Sequence, residues 1–218
     1  MKQKDHAVNV DDLTPDAIHR HVANLPFMRL KQAKELVAFL HREKLTKVLE
    51  LGFYHGVSSC YFAAAMKAVG GDPIVTIDLL SAKQRSPNIE ELLDRCGLLD
   101  HAEFLYETTS YNWRLMEFIE TGRKFDFCYI DGGHDWYNTG FAFFLVDKLI
   151  EPGGWILFDD LDWTMEHLNM SGIVTRSLKE RRTPQVRKVW ELLVQQHPSY
   201  GNFREQDRWG FAQKILKP

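Results

Sequence analysis

Two short apolar segments, each ending in carboxylates, limit what this chain can fold into. Residues 125–134 read FDFCYIDGGH, and residues 151–160 read EPGGWILFDD. Unbroken apolar runs bounded by turn signals mark strands buried on both faces. Between them, Trp136 to Ile150 has the length and apolar spacing of a crossover helix. Strands joined through such a helix lie parallel, so both carboxyl ends open on one edge of the sheet. Asp131, Asp159 and Asp160 would then gather in one small volume. Three carboxylates in a partly dry site repel one another and take up protons unless a cation lies among them. The spacing therefore reads as a hard-metal site.

The rest of the chain supplies the other layers of the same architecture. Thr46–Leu51 (TKVLEL), Ile74–Asp78 (IVTID) and Glu103–Tyr106 read as further strands. Helical segments at Val57–Val69, Pro87–Cys96 and Tyr111–Glu120 alternate with them. Sustained strand–helix alternation predicts an α/β, doubly wound and mostly parallel sheet, here of seven strands. Ahead of it, Thr14-Pro15 reads as an N-cap with proline at the first helical position, opening a helix towards Leu25. Arg29–Glu43 has the apolar spacing of a second, amphipathic helix. His19 and His21, two apart, point to different helix faces and read as surface residues. After Trp163 the alternation stops. Glu166–Lys179 and Thr183–His197 read as helical or irregular, and Gly201–Gln206 with Trp209–Leu216 as a closing antiparallel hairpin. The expected division is a tail with cap helices over residues 1–44 and one domain over residues 45–218.

Composition removes several function classes. The 218 residues carry a formal net charge of −3, which gives no basis for nucleic-acid binding. No apolar run reaches the roughly 20 residues of a membrane helix, and the start of the chain lacks the apolar segment of a signal peptide. Cys60, Cys96 and Cys128 are far apart, each in an apolar setting, and show no zinc spacing. They read as reduced thiols of a cytoplasmic protein.

The loop after the first strand decides the ligand class. A dinucleotide fingerprint needs G-x-G-x-x-G, so that backbone and helix N-terminus can meet a pyrophosphate. In Glu50-Leu51-Gly52-Phe53-Tyr54-His55-Gly56, Tyr54 holds the second glycine's place and Val57 the third's. Glu50 would repel a pyrophosphate but favour a ligand bearing an ammonium and a sulfonium, which describes S-adenosylmethionine rather than NAD. Asp78, 22 residues after Gly56 at the end of the next strand, stands where an acid takes both ribose hydroxyls.

VLELGFYHGVSS, IVTID, FDFCYIDGGHDW and PGGWILFDD together resemble the class I S-adenosylmethionine-dependent methyltransferases. Within these the chain is most similar to the family-24 type small-molecule O-methyltransferases, and more distantly to catechol and macrolide-sugar O-methyltransferases. The resemblance covers about Val48 to Asp160. Two departures are Tyr54, where a glycine is common, and Asp159-Asp160, where relatives often carry Asp-Asn or Glu-Asp. The resemblance implies that Glu50 and Asp131 face each other across the crevice between the first and fourth strands. It implies a cofactor site of Glu50, Gly52, Tyr54, Gly56, Ser58, Ser59, Asp78 and Asp131. It further implies magnesium on Asp131, Asp159 and Asp160, and His134 as the base that deprotonates an acceptor hydroxyl.

The expected activity is S-adenosylmethionine-dependent, metal-assisted methyl transfer to a small hydroxylated molecule of sugar, polyol or catechol type. Homodimers are compatible with it. A metal-independent methyltransferase and a non-catalytic S-adenosylmethionine-binding protein are the rival readings. A non-haem iron oxygenase ranks below both, because no His-x-Asp pair occurs for its two-histidine, one-carboxylate triad. The basic run from Arg176 to Lys188 reads first as a solvated face and second as a clamp for an acidic acceptor.

Overall fold

The computed structural model describes residues 10–167 and 176–215. The expected tail before Val10, residues 168–175 of the expected Glu166–Lys179 stretch, and Leu216 lie outside them. Seven strands form one sheet: β1 (Val48–Leu51), β2 (Ile74–Leu79), β3 (Ala102–Glu107), β4 (Phe125–Ile130), β5 (Ile150–Phe158), β6 (Tyr200–Gln206) and β7 (Trp209–Lys214). Their order is β3-β2-β1-β4-β5-β7-β6. The first five pair in parallel, while β7 runs antiparallel to both β5 and β6. The chain thus forms the doubly wound sheet and the closing hairpin expected of it.

Helices cover both faces, and side-chain alternation assigns each strand residue to one of them. Leu49, Leu51, Cys128 and Ile130 point to one face, under α5 (Tyr111–Glu120), α6 (Trp136–Leu149) and α8 (Gln185–Val189). Val48, Phe127 and Tyr129 point to the other, under α1 (Pro15–Val22), α2 (Leu30–Arg42), α3 (Val57–Val69) and α4 (Ile89–Arg95). This double burial is why the central strands read as continuous apolar runs. Residues of α1 and α2 share the buried cluster of α3 and β1.

Several local expectations differ from the structure. His19 is half-buried, its Nδ1 lying 2.9 Å from the Tyr61 hydroxyl, because α1 lies against α3. The Glu151–Gly154 segment, read as a turn, belongs to β5, with an irregular pairing step between Phe125 and Phe127 that accommodates Pro152 and Gly153. In the C-terminal region the helices described up to residue 182 are a 3-10 turn at Met165–His167 and the short α7 (Leu178–Arg182). Beyond it, α8 passes into a π-helical turn at Trp190–Val194. Neighbouring strands β1 and β4 leave the sheet's ordering in opposite directions, so a crevice opens above their carboxyl ends.

Candidate active site

The loop from Gly52 to Gly56 leaves β1 under a tight steric condition. Gly52 has φ +92°, and a Cβ there would lie 2.7 Å from the carbonyl oxygen of Asp131. The two strand ends therefore meet backbone to backbone, which only glycine permits. Gly56, at φ +95°, caps α3 and lies against Ile89, where a Cβ would come within 2.6 Å of Cγ1. Asp78 locks the loop from the side: its Oδ2 accepts from the N–H of Phe53 at 3.0 Å and of Tyr54 at 2.7 Å.

Glu50 does not open into the crevice, contrary to its expected position facing Asp131. Its side chain points beneath α3 and has no exposed surface. The Ser58 hydroxyl donates to its Oε1 at 2.5 Å, while those of Ser59 and Thr76 (2.6 Å) donate to Oε2. Strand alternation explains the difference: Glu50 shares a face with Val48, the face α3 covers. Burial pushes its carboxyl up to about 7, against the lowering effect of the three hydroxyls. Glu50 thus positions Ser58, which does reach the cleft.

That first cleft, of about 180 Å³, is lined by Gly52, Tyr54, Ser58, Asp78 and Asp131 among the expected cofactor residues. Glu50, Gly56 and Ser59 lie behind it. Unforeseen from sequence are Phe27, Met28 and Arg85 in its walls. The Arg85 guanidinium stacks 3.4 Å from the centre of the Tyr54 ring, and Phe27 meets that ring edge-on at 5.0 Å. A run of apolar residues between two amphipathic helices, Pro26-Phe27-Met28, was the available signal. Phe27 and Met28 both adopt positive φ, 69° and 44°, an uncommon conformation for side chains of that size.

A second cleft, of about 620 Å³, opens over the ends of β4 and β5. Its floor is acidic: Asp131, Asp159 and Asp160 line it together. The histidine of the β4 loop lines the first cleft and reaches these acids from that side, with His134 Nε2 3.3 Å from Asp131 Oδ1 and 3.4 Å from Asp160 Oδ2. Trp163 covers the imidazole at 5.0 Å. His134 is not the cap of α6; Asp135 is, accepting from the N–H groups of Tyr137 and Asn138, each at 2.9 Å. Burial pushes Asp131 up to about 7, and the Asp159 and Asp160 carboxylates add to this while His134 opposes it. Burial works to lower the His134 pKa, but its bond to Asp131 and the surrounding carboxylates outweigh that and raise it.

Asp131, His134 and Asp160 offer ligand atoms within 4.8 Å of one another, close enough to share one metal ion, whereas Asp159, expected as a ligand, is not in this group. Asp160 Oδ1 is buried with no hydrogen-bond donor, and Arg208 Nη1 lies 3.0 Å from it as an ion pair. Asp159 is held differently. The Tyr129 hydroxyl donates to its Oδ2 and the Asp160 N–H to its Oδ1, at 2.6 Å for the latter. Such bonds commonly orient ligating carboxylates, and the carboxylates of Asp131 and Asp160 are oxygen donors of the kind a magnesium ion takes.

Residues 49–161, just over half of the chain, match the Methyltransf_24 family, a methyltransferase domain. No curated protein sequence matches the chain. Among solved structures it is similar to the O-methyltransferase from Bacillus cereus in complex with SAH, with TM-score 0.67 and 23% identity over 95% of this chain and 93% of that one. SAH-bound methyltransferase PaMTH1 from Podospora anserina gives TM-score 0.68 and 18% identity over 93% and 89%. The O-methyltransferase TomG from Streptomyces achromogenes, in complex with SAM, gives TM-score 0.65 and 18% identity over 98% and 92%. The strand order, the glycine-bounded loop on Asp78 and the family match agree: the chain belongs to the Methyltransf_24 family and is a class I S-adenosylmethionine-dependent methyltransferase with the O-methyltransferase fold.

Proposed function

We propose that the protein transfers a methyl group from S-adenosylmethionine to a hydroxyl of a small polar molecule, with a divalent ion assisting. The observation that carries this reading is the position of Asp131, which lines both clefts beside His134. Tyr54, Ser58 and Asp78 hold the nucleoside-side ligand in the first cleft, and the second cleft receives the acceptor. S-adenosylmethionine, when bound, supplies a methyl group on a sulfonium. Asp131 at the junction favours that positive charge, as does Glu50 behind the loop when ionised. His134 takes the hydroxyl proton of the acceptor at the ring nitrogen that Asp131 and Asp160 leave free, and the raised pKa given by those carboxylates makes it the stronger base. Alignment of the two ligands across one shared side chain supplies the proximity that such transfer needs.

Asp131, Asp159 and Asp160 would hold magnesium, which lowers the pKa of a hydroxyl bound to it. A second reading, metal-independent, is favoured by one observation: His134 and Arg208 already place positive charge against Asp131 and Asp160. Labelled methyl transfer from S-adenosylmethionine to a panel of catechols, sugars and polyols, with and without chelator, decides between them. The primary reading expects transfer that chelation abolishes and magnesium restores; transfer indifferent to chelation selects the second. Absence of any transfer, with S-adenosylhomocysteine bound tightly, would point to a non-catalytic binding protein. No helix of the described residues is long and apolar enough to cross a membrane, and Cys60, Cys96 and Cys128 are free, which supports a cytoplasmic location.

A further inference from the structure

The second cleft is acidic at its floor and basic at its mouth. Arg29 precedes the first turn of α2, Lys31 follows within it, and Arg208 sits in the β6–β7 turn; all three line the cleft. Arg29 is exposed and makes no ion pair with a carboxylate among the described residues, although four acids line the same cleft. Arg208 directs one guanidinium nitrogen to Asp160 and keeps 58% of its side chain exposed. Lys31, 81% exposed, touches Glu35 only at 3.8 Å. Asp207 shares the rim with them.

The basic run at the C-terminal side behaves in the opposite way. Arg182 pairs with Glu166 at 2.8 Å, Arg187 with Asp162 and with Glu205 at 3.1 Å, and Lys188 with Glu191 at 2.7 Å. Arg182, Arg187 and Lys188 are thus neutralised by their own neighbours, Arg176, Lys179 and Arg181 make no ion pair among the described residues, and none of the run lines the second cleft, so a clamp at that cleft does not belong to it. The free cationic capacity lies at the mouth of the cleft that the acceptor would enter. Guanidinium groups with unused donors favour carboxylate and phosphate oxygens, which accept two parallel hydrogen bonds.

We propose that the acceptor is an anionic hydroxylated molecule whose carboxylate or phosphate docks between Arg29 and Arg208 while its hydroxyl lies on the Asp131–His134 floor. This rests on the function proposed above. The basic groups stand at the mouth, where Arg208 is anchored by its ion pair with Asp160 and keeps its remaining donors exposed.

The test is calorimetric titration of the full chain, first with S-adenosylhomocysteine and then, in the loaded protein, with matched probe pairs. These are 3,4-dihydroxybenzoate against 3,4-dihydroxybenzamide, glucuronate against glucuronamide, and glucose 6-phosphate against glucose. The expected result is that the charged member of at least one pair binds about tenfold tighter or more. In the Arg29→Gln/Arg208→Gln double variant that preference falls to within about threefold. The carboxylate and phosphate pairs report which anion is preferred. Equal affinities within every pair, no binding of any anionic probe, or a preference that survives in the double variant would overturn the proposal. Circular dichroism of the double variant and of Arg29→Gln alone, an exposed site, shows whether the comparison is made on folded protein. Failure of S-adenosylhomocysteine to bind refutes the methyltransferase site itself, whereas tight binding with charge-blind acceptor binding refutes only this inference.

Discussion

Replacing Glu50 by glutamine should make the protein more stable at neutral and alkaline pH. Glu50 has no exposed surface, and burial raises its carboxyl from the ordinary 4.5 to about 7 even with Ser58, Ser59 and Thr76 donating to it. Below pH 4.5 the group is protonated in folded and unfolded chains alike and costs nothing. Between 4.5 and about 7 the unfolded chain releases the proton while the folded one keeps it, so stability falls as pH rises. Above about 7 the full cost is present. At roughly 1.4 kcal/mol per pH unit, this is on the order of 3 kcal/mol. Glutamine cannot ionise, and the three hydroxyls can rotate to accept from its amide as well as donate to its oxygen. Urea denaturation of both proteins, followed by tryptophan fluorescence from about pH 5 to about pH 8, measures the difference. The variant's advantage should grow steadily across that range and level off at its upper end. Parallel stability curves, or a wild type that gains on the variant as pH rises, would refute the assignment of Glu50 as a buried acid carrying a raised pKa.

Further outcomes follow from the two clefts. His134→Ala should keep S-adenosylhomocysteine affinity within about threefold while methyl transfer falls by roughly a hundredfold to ten-thousandfold, measured by labelled transfer beside calorimetry. In the wild type the rising limb of kcat/KM against pH should lie above the ordinary 6.5 of imidazole, since the surrounding carboxylates raise His134 and the base has to be neutral to act. Tyr129→Phe should destabilise the protein by about 2 kcal/mol in urea denaturation, because the buried Asp159 Oδ2 loses its hydroxyl donor.

Much of this fold could be read from the sequence because its central strands are buried on both faces. Val48–Leu51, Phe125–Ile130 and Trp155–Phe158 are predominantly apolar runs, and Gly52, Asp131 and Asp159 mark where they end. Period-two alternation separates Glu50 from Leu51, but which face α3 would cover depends on the crossovers. Glu50's burial beneath Ser58 and Ser59 was therefore not legible. Arg29, Phe27 and Arg208 come from the α1–α2 connection and the β6–β7 turn, whose positions over the sheet are set by tertiary packing. The Arg176–Lys188 run was visible in sequence, but that Arg182, Arg187 and Lys188 in it close on Glu166, Asp162, Glu205 and Glu191 was not. Tertiary geometry distinguishes cations paired in this way from an unpaired one such as Arg29.

A crystal structure of the protein bound to S-adenosylhomocysteine tests the junction at Asp131 most directly. The account predicts ribose hydroxyls on Asp78, the amino-acid part over Gly52 and Ser58, and the sulfur directed towards Asp131 and His134, where the first cleft borders the second. A ligand seated elsewhere, or one whose sulfur faces away from His134, would contradict it.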